Sequence, residues 1–262
     1  MKKKKYVLLS FDIEEFDIPE EYGQRIDEKT QMEISLRGLE AIIWLLDQLE
    51  IRATFFVTAN FALHHQAIIR EISEKHEIAS HGFYHSSFSV EDLGKSRETL
   101  EKITNQPVTG FRAARLMAMD EREIKKASYK YNSSMNPTYI PGRYNNCFKP
   151  RTAYYANGIL NIPVSVTPII RFPLFWLSFK NFPLFWIKLA SQITLRTDSY
   201  LCLYFHPWEF INITSFNLPN FIKKRSGRDM VRRLEKYLIC LKRQGEFITF
   251  SEFANLFNFP KR

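Results

Sequence analysis

The feature that most constrains this chain is the alternation of short apolar runs with stretches whose apolar residues recur at helical spacing. Residues 6–11 are apolar apart from one serine, the pattern of a strand buried on both faces. Residues 33–49 then place Leu39, Ile42, Ile43, Leu46 and Leu49 on one helical face. The alternation continues with a strand at 53–57, a helix near 62–75, a strand at 77–80 and a helix at 89–103 opened by a Ser89-x-x-Asp92 capping pattern. A strand at 108–112, a helix at 120–128 and a strand near 132–135 follow. Late strands are expected at 200–206 and 247–249, with a helix at 228–243 between them. Such alternation predicts an α/β fold, a parallel sheet or barrel with helices outside. No Pro/Gly/Ser-rich linker divides residues 1–262, so they read as one domain, a length ordinary for a single α/β barrel.

In folds of this kind the chemistry gathers at the C-terminal ends of the strands. Asp12 and Glu14 end the first strand, His81 and His85 follow the third, Arg112 ends the fourth and His206 ends a late one. All the polar candidates therefore fall at one end of the sheet. Two imidazoles four residues apart, in a turn after a strand, can face one metal ion. Asp12 and Glu14 lie two apart, on one side of an extended chain. Two imidazoles, a carboxylate and an open position make the donor set of hydrolytic zinc, and the second carboxylate remains as a general base. The competing reading of Glu14, Glu15, Asp17, Glu20 and Glu21 is a solvated acidic turn. His64 and His65 read as solvated, and His76, at the start of a strand, as structural.

Charge and cysteine content bound the partners and the compartment. Lys and Arg number 37 against 28 Asp and Glu, a net charge of +9, with basic runs at 2–5 and around 223–233. This balance suits anionic partners. No nucleic-acid motif accompanies it, so a glycan or lipid surface is expected rather than nucleic acid, and a plain solvated basic face accounts for it equally well. The three cysteines, Cys147, Cys202 and Cys240, form no CxxC, and their odd number speaks against a disulfide framework. Cys202 sits in an apolar run and is expected in the core. The apolar body behind the basic head is too short for a secretory signal, and no spanning helix is expected, which places the protein in the cytoplasm or peripherally at a membrane. The pentapeptide FPLFW occurs at 172–176 and again at 182–186, flanked by Arg171, Lys180 and Lys188. It reads first as core or lid and second as an interfacial element, with 171–188 and 2–5 contacting a membrane.

In order along the chain stand Ser10-Phe11-Asp12-Ile13-Glu14, Ala53-Thr54-Phe55-Phe56-Val57, His76-Glu77-Ile78-Ala79-Ser80-His81-Gly82, His85, Gly110-Phe111-Arg112-Ala113, Tyr131-Asn132-Ser133-Ser134 and Tyr204-Phe205-His206-Pro207-Trp208-Glu209. Together, over residues 6–209, these motifs resemble the polysaccharide deacetylase family (carbohydrate esterase family four, the NodB-homology domain). The last of them resembles the branch associated with bacterial exopolysaccharide gene clusters. The resemblance implies a single distorted (β/α) barrel that hydrolyses N-acetyl groups on an amino sugar or glycan with a divalent metal, zinc first, with cobalt, nickel or manganese as alternatives. It implies Asp12 as general base, Glu14, His81 and His85 as metal ligands, Arg112 as the group that orients Asp12, and His206 as general acid. Tyr204 or Trp208 would wall the pocket for the acetyl methyl, and a backbone N–H near Tyr131–Asn132 would stabilise the oxyanion. Three positions depart from the family pattern. Ala114 replaces a proline, Asn132 replaces an aspartate expected beside the arginine or the acid, and Glu14 stands where aspartate is more common. A relative that opens cyclic amides such as allantoin, or an inactive glycan-binding barrel, are the rival readings. The joint presence of Asp12, both histidines, Arg112 and His206 speaks against the second.

Overall fold

A computed structural model describes residues 4–257; residues 2 and 3 of the basic run lie outside them. Strand β1 (Tyr6–Ile13) is buried along nearly its whole length and is the hub of a nine-stranded sheet. Residues alternate across it: Leu8 joins the inner apolar cluster, while Val7, Leu9, Phe11 and Ile13 face the helices. That period of two puts Ser10 and Asp12 on the inner side with Leu8. One edge of β1 pairs in parallel with β10 (Tyr200–Phe205) and the other with β2 (Thr54–Val57). The sheet continues in parallel through β3 (Glu77–Ser80), β4 (Gly110–Phe111), β5 (Tyr131–Asn132) and β9 (Ile159–Asn161). It ends on β8 (Tyr154–Ala156), antiparallel to β9, while β11 (Glu246–Phe247) pairs with the first residues of β1. A separate hairpin joins β6 (Tyr139–Ile140) and β7 (Tyr144–Asn145).

The helices follow the expected order with shifted ends. Helix α1 (Glu28–Leu49) starts one turn earlier than its apolar stripe, because the Asp27 carboxylate accepts from Thr30 N–H and caps it. Its backbone runs so close to Pro207 that a Cβ at Gly38 would lie 2.0 Å from the Pro207 carbonyl oxygen. The helix expected at 62–75 is two, α2 (Ala59–His64) and α3 (Gln66–Ser73), broken at His65. His65 is half-buried and its ring lies 4.6 Å from that of Phe61, so only His64 is the exposed residue both were expected to be. In α4 (Glu91–Thr104) the Asp92 carboxylate accepts from Ser89 N–H at 2.9 Å, which is half of the expected capping box. Asp120 caps α5 (Glu121–Lys126). The strands expected at 108–112 and 132–135 shrink to two residues each. Between them and β10 lie β6 to β9, α6 (Trp176–Asn181) and α7 (Leu184–Asp198), none of which the sequence periodicity announces. Helices α8 (Asn220–Lys223), α9 (Arg228–Lys242) and α10 (Phe250–Leu256) complete the chain. Cys202 is buried and all three cysteines are free. No helix among the described residues is long and apolar enough to cross a membrane.

Candidate active site

Glu14 leaves the end of β1, and His81 and His85 leave the end of β3 through a turn at Gly82, whose φ of +90° favours glycine. Glu14 Oε2 lies 3.1 Å from Nε2 of each histidine, and all three side chains are buried. Their ligand atoms fall within 4.8 Å of one another. Each imidazole is held from behind by its other nitrogen. His81 Nδ1 donates to the Arg112 carbonyl at 2.9 Å, and His85 Nδ1 meets the Asp17 carboxylate at 2.7 Å. Both Nε2 atoms are thereby turned toward Glu14, the second-layer support typical of metal-binding histidines.

The electrostatics agree. Burial would raise the Glu14 carboxyl, but His85, His206 and His81 outweigh it and hold it well below the usual carboxylate range. Burial likewise opposes charge on His85, yet Glu14 and Asp17 lift it to about 9. Both shifts mark a cavity that favours positive charge where these side chains meet. Two imidazole nitrogens and a carboxylate oxygen suit a divalent ion with open positions, so the donor set fits the metal that the family resemblance implies.

Arg112 is fully buried, its guanidinium 4.0 Å above the Phe56 ring. Nη1 donates to Asp12 Oδ1 at 2.5 Å and to Ser10 Oγ at 2.9 Å. Nε and Nη2 donate to the carbonyl and hydroxyl of Ser133. Every guanidinium nitrogen is engaged, so the arginine and the Asp12 oxygen it grips are fixed. Asn132 does not touch this pair. Its carbonyl oxygen accepts from Ser134 N–H at 3.1 Å and its amide donates to Asn161 at 2.9 Å, so the missing aspartate charge is replaced by a turn-shaping role. After Ala114 the backbone turns through Arg115, at φ 54°, which reaches Asp17 at 3.1 Å and Glu21 at 3.0 Å.

His206 ends β10 and caps the turn Pro207–Phe210. Glu209 Oε1 accepts from the His206 backbone N–H at 2.8 Å and meets Nδ1 at 3.2 Å, leaving Nε2 4.0 Å from Glu14 Oε1. Burial opposes protonation of this ring, but Glu14 and Glu209 prevail and raise its pKa. The ring stacks on Trp208 at 4.9 Å and meets the edge of Trp176 at 5.2 Å. Behind Glu209, fully buried Lys180 approaches its other oxygen at 3.8 Å.

A cleft of about 340 Å³ joins these groups, lined by Asp12, Glu14, His81, His85, Tyr204, His206 and Trp208. Its rim includes Tyr144, Trp176 and Phe221. A second hollow, of about 370 Å³, lies at the opposite end of the strands around His76 and Glu77. Burial pushes His76 down to about 4, and its Nδ1 accepts from Ala53 N–H at 3.3 Å, which fits its structural reading. No histidine–carboxylate cluster forms there among the described residues.

One expected placement changes and one residue gains a second contact. Tyr131 does not reach the cleft: its hydroxyl donates to Glu77 Oε1 at 2.9 Å, and its N–H is spent on the Thr109 carbonyl. Its ring fills the space over Gly110, where a Cβ would lie 1.9 Å from it. Trp208 lines the cleft but also donates from Nε1 to Glu14 Oε1 at 3.2 Å, which makes it a holder of the carboxylate. Asp17, read above as part of a solvated turn, is instead buried behind His85. Its flanks, Phe16 and Ile18, were the available signal, since apolar neighbours drag an acidic residue inward. Glu209, Lys180 and Trp176 were also missed; only their spacing within the YFHPWE and FPLFW motifs hinted at them.

A family profile described as polysaccharide deacetylase matches residues 2–132, half of the chain. No curated protein matches significantly. Among solved structures, a Mycobacterium smegmatis protein described as a polysaccharide deacetylase is 18% identical, with a TM-score of 0.65 over 98% of this chain and 91% of that one. An allantoinase is 14% identical, with a TM-score of 0.67 over 95% of this chain and 89% of that one. A family 4 acetyl xylan esterase from Clostridium thermocellum, in complex with a cobalt ion, is 16% identical, with a TM-score of 0.51 over 96% and 91%. At such identities the likeness is one of fold, and it identifies the curled sheet as the NodB-type barrel that the motifs implied. With Asp12, Glu14, His81, His85 and Arg112 all inside the matched span, the chain belongs to the polysaccharide deacetylase family.

Proposed function

We propose that this protein hydrolyses N-acetyl groups on an amino sugar or glycan, with a divalent ion held by Glu14, His81 and His85. The observation that carries this reading is the meeting of that donor set with Asp12 and His206 in one cleft. Zinc is the first expectation for the ion, with cobalt, nickel and manganese as alternatives; such an ion lowers the pKa of water to about 7 and polarises a carbonyl. Asp12, fixed through one oxygen by Arg112, takes the proton of the water that adds to the acetyl carbon. His206, whose pKa is raised and whose Nδ1 is tied to Glu209, gives a proton to the nitrogen as the C–N bond breaks, and acetate and a free amine leave. Trp208 steadies Glu14, and Tyr204 walls the cleft. Because Asp12 and His206 come from neighbouring strands β1 and β10, early and late parts of the chain act as one catalytic unit. The YFHPWE motif makes exopolysaccharide fragments the first substrates to try.

The experiment is acetate release from a panel of N-acetylated oligosaccharides, with metal content measured alongside. Asp12→Asn is expected to keep the metal and lose about two to four orders of magnitude in rate, the scale of general base catalysis. Near-native turnover would reassign the base, and loss of metal would make Asp12 a ligand. Ring opening of allantoin without acetate release from any sugar would move the assignment to a cyclic amide hydrolase.

A further inference from the structure

The two FPLFW segments lie at opposite ends of α6. Trp176 opens that helix at the cleft rim, and Asn181 closes it beside Phe182. Six residues of helix span about 9 Å, so Phe182 and the start of α7 lie near the cleft rim. What lies there is apolar and uncovered. The outer face of α7 carries Phe185 at 71% exposure, with Trp186, Leu189 and Ile193 also exposed. The neighbouring loop at 167–172 is closed at its base by Thr167, which binds Phe172 through backbone and side chain. At its tip Ile169 is 96% exposed and Ile170 73%. Ile169 holds a φ of 65°, a conformation that costs most for a β-branched residue, and its side chain gains no packing in return. The Phe172 and Phe182 rings, 4.9 Å apart, join the loop to α7. Ring contact thus links the loop to the start of α7, so these apolar residues are not scattered singly.

Cations surround it. Along the chain, residues 180–243 hold twelve Lys and Arg against four Asp and Glu, although Lys180 is buried against Glu209 and Lys242 reaches the Leu49 carbonyl. Arg233 is partly buried, and Arg225 lies near enough to oppose its charge. Their bonds run to the backbone carbonyls of Lys180, Phe179 and Phe182, with no carboxylate partner among the described residues. Arg171 spans the carbonyls of Pro137 and Lys149, which brings Lys149 to the loop's foot, and Lys188 rises from α7. Aromatic and branched apolar side chains ringed by unpaired cations match the acyl boundary and phosphate layer of an anionic bilayer. A second copy of this chain would bring the same positive charge to the contact and repel it.

We propose that the loop at 167–172 and the outer face of α7 form a docking surface for an anionic lipid bilayer, setting the cleft mouth against the membrane plane. Its standing does not depend on the reaction, because lipid contact can be read whether or not acetate is released.

The test is flotation of the full chain with vesicles of phosphatidylcholine mixed with phosphatidylglycerol, against vesicles of phosphatidylcholine alone. The protein is expected to float with the anionic vesicles, less so as salt rises, and to stay down with the neutral ones. Replacing Ile169 and Phe185 with serine should weaken partitioning by more than about tenfold, as loss of two large apolar side chains from an interface implies. The same variant should keep its Tm and its turnover of soluble substrate. Lys149→Gln with Lys188→Gln should lessen the salt dependence. Wild-type protein that never floats, or both variants floating like wild type, overturns the proposal. A serine variant with a lowered Tm also overturns it, since the side chains would then pack inside. So does a wild-type dimer in sedimentation that the serine variant breaks, since the patch would then be a subunit contact.

Discussion

The same five residues, FPLFW, meet opposite fates ten positions apart. In the first copy Leu174 and Phe175 are buried and Trp176 packs on His206 and Trp208. In the second, Phe182, Phe185 and Trp186 are exposed. Hydrophobicity is identical, so it cannot decide between them. Neighbours and helix phase do. The first copy is extended, bridged at Pro173 to Val166, and lies under Tyr204 of β10. The second opens α7, whose inner stripe is already Ile187, Ala190, Ser191, Thr194 and Leu195. With 3.6 residues per turn that stripe forces positions 185, 186, 189 and 193 outward. A motif search sees one repeat where the fold has built a wall and a shore.

Matched substitutions in the two copies sharpen or break this contrast. Phe175→Ala should cost about 3–5 kcal/mol of stability, the range for a buried aromatic, whereas Phe185→Ala should stay within about 0.5 kcal/mol. Equal costs in urea unfolding would erase the distinction. Trp176→Ala should lower kcat by roughly tenfold, about 1.4 kcal/mol, by loosening the His206 ring, with Trp186→Ala matching wild type on a soluble substrate. If Trp186→Ala slows that substrate as much, the second copy belongs to the cleft. The smallest effect lies where the copies touch. A double-mutant cycle on Phe172 and Phe182 should give a coupling of about 0.5–1.5 kcal/mol, and none if the two segments act separately.

The legible parts of this molecule are those where local pattern and global environment agree. Buried strands β1, β2, β3 and β10 announce themselves as apolar runs, and the polar residues that end them are the ones that meet in the cleft. Strands β4 and β5 have two residues each, too short for a period to show. Residues 133–183 fold as short pieces whose places are set by contacts far along the chain, such as Val164 against Tyr204. Asp17 fails locally for a related reason: five acids in eight residues look solvated until Arg115, nearly a hundred positions away, closes over one of them. Tyr131 was misplaced because it opens β5 rather than ending it, so its ring joins the inner cluster with Leu8 and reaches Glu77, the first residue of β3. The two isoleucines at the loop tip, by contrast, are plain in sequence but carry meaning only once their exposure is known.

The ladder between β1 and β10 has a consequence for how the protein comes off the ribosome. Ser10 pairs with Tyr204 and Phe11 with Phe205 across more than 190 positions. A nascent chain halted before residue 200 would already hold Glu14, His81 and His85, the whole of the candidate donor set. It would lack His206, and one edge of β1 would stand unpaired and apolar, an invitation to aggregation. The two ends of the cleft are therefore completed at different stages of synthesis, and until the second arrives the open edge of β1 is a point of misassembly.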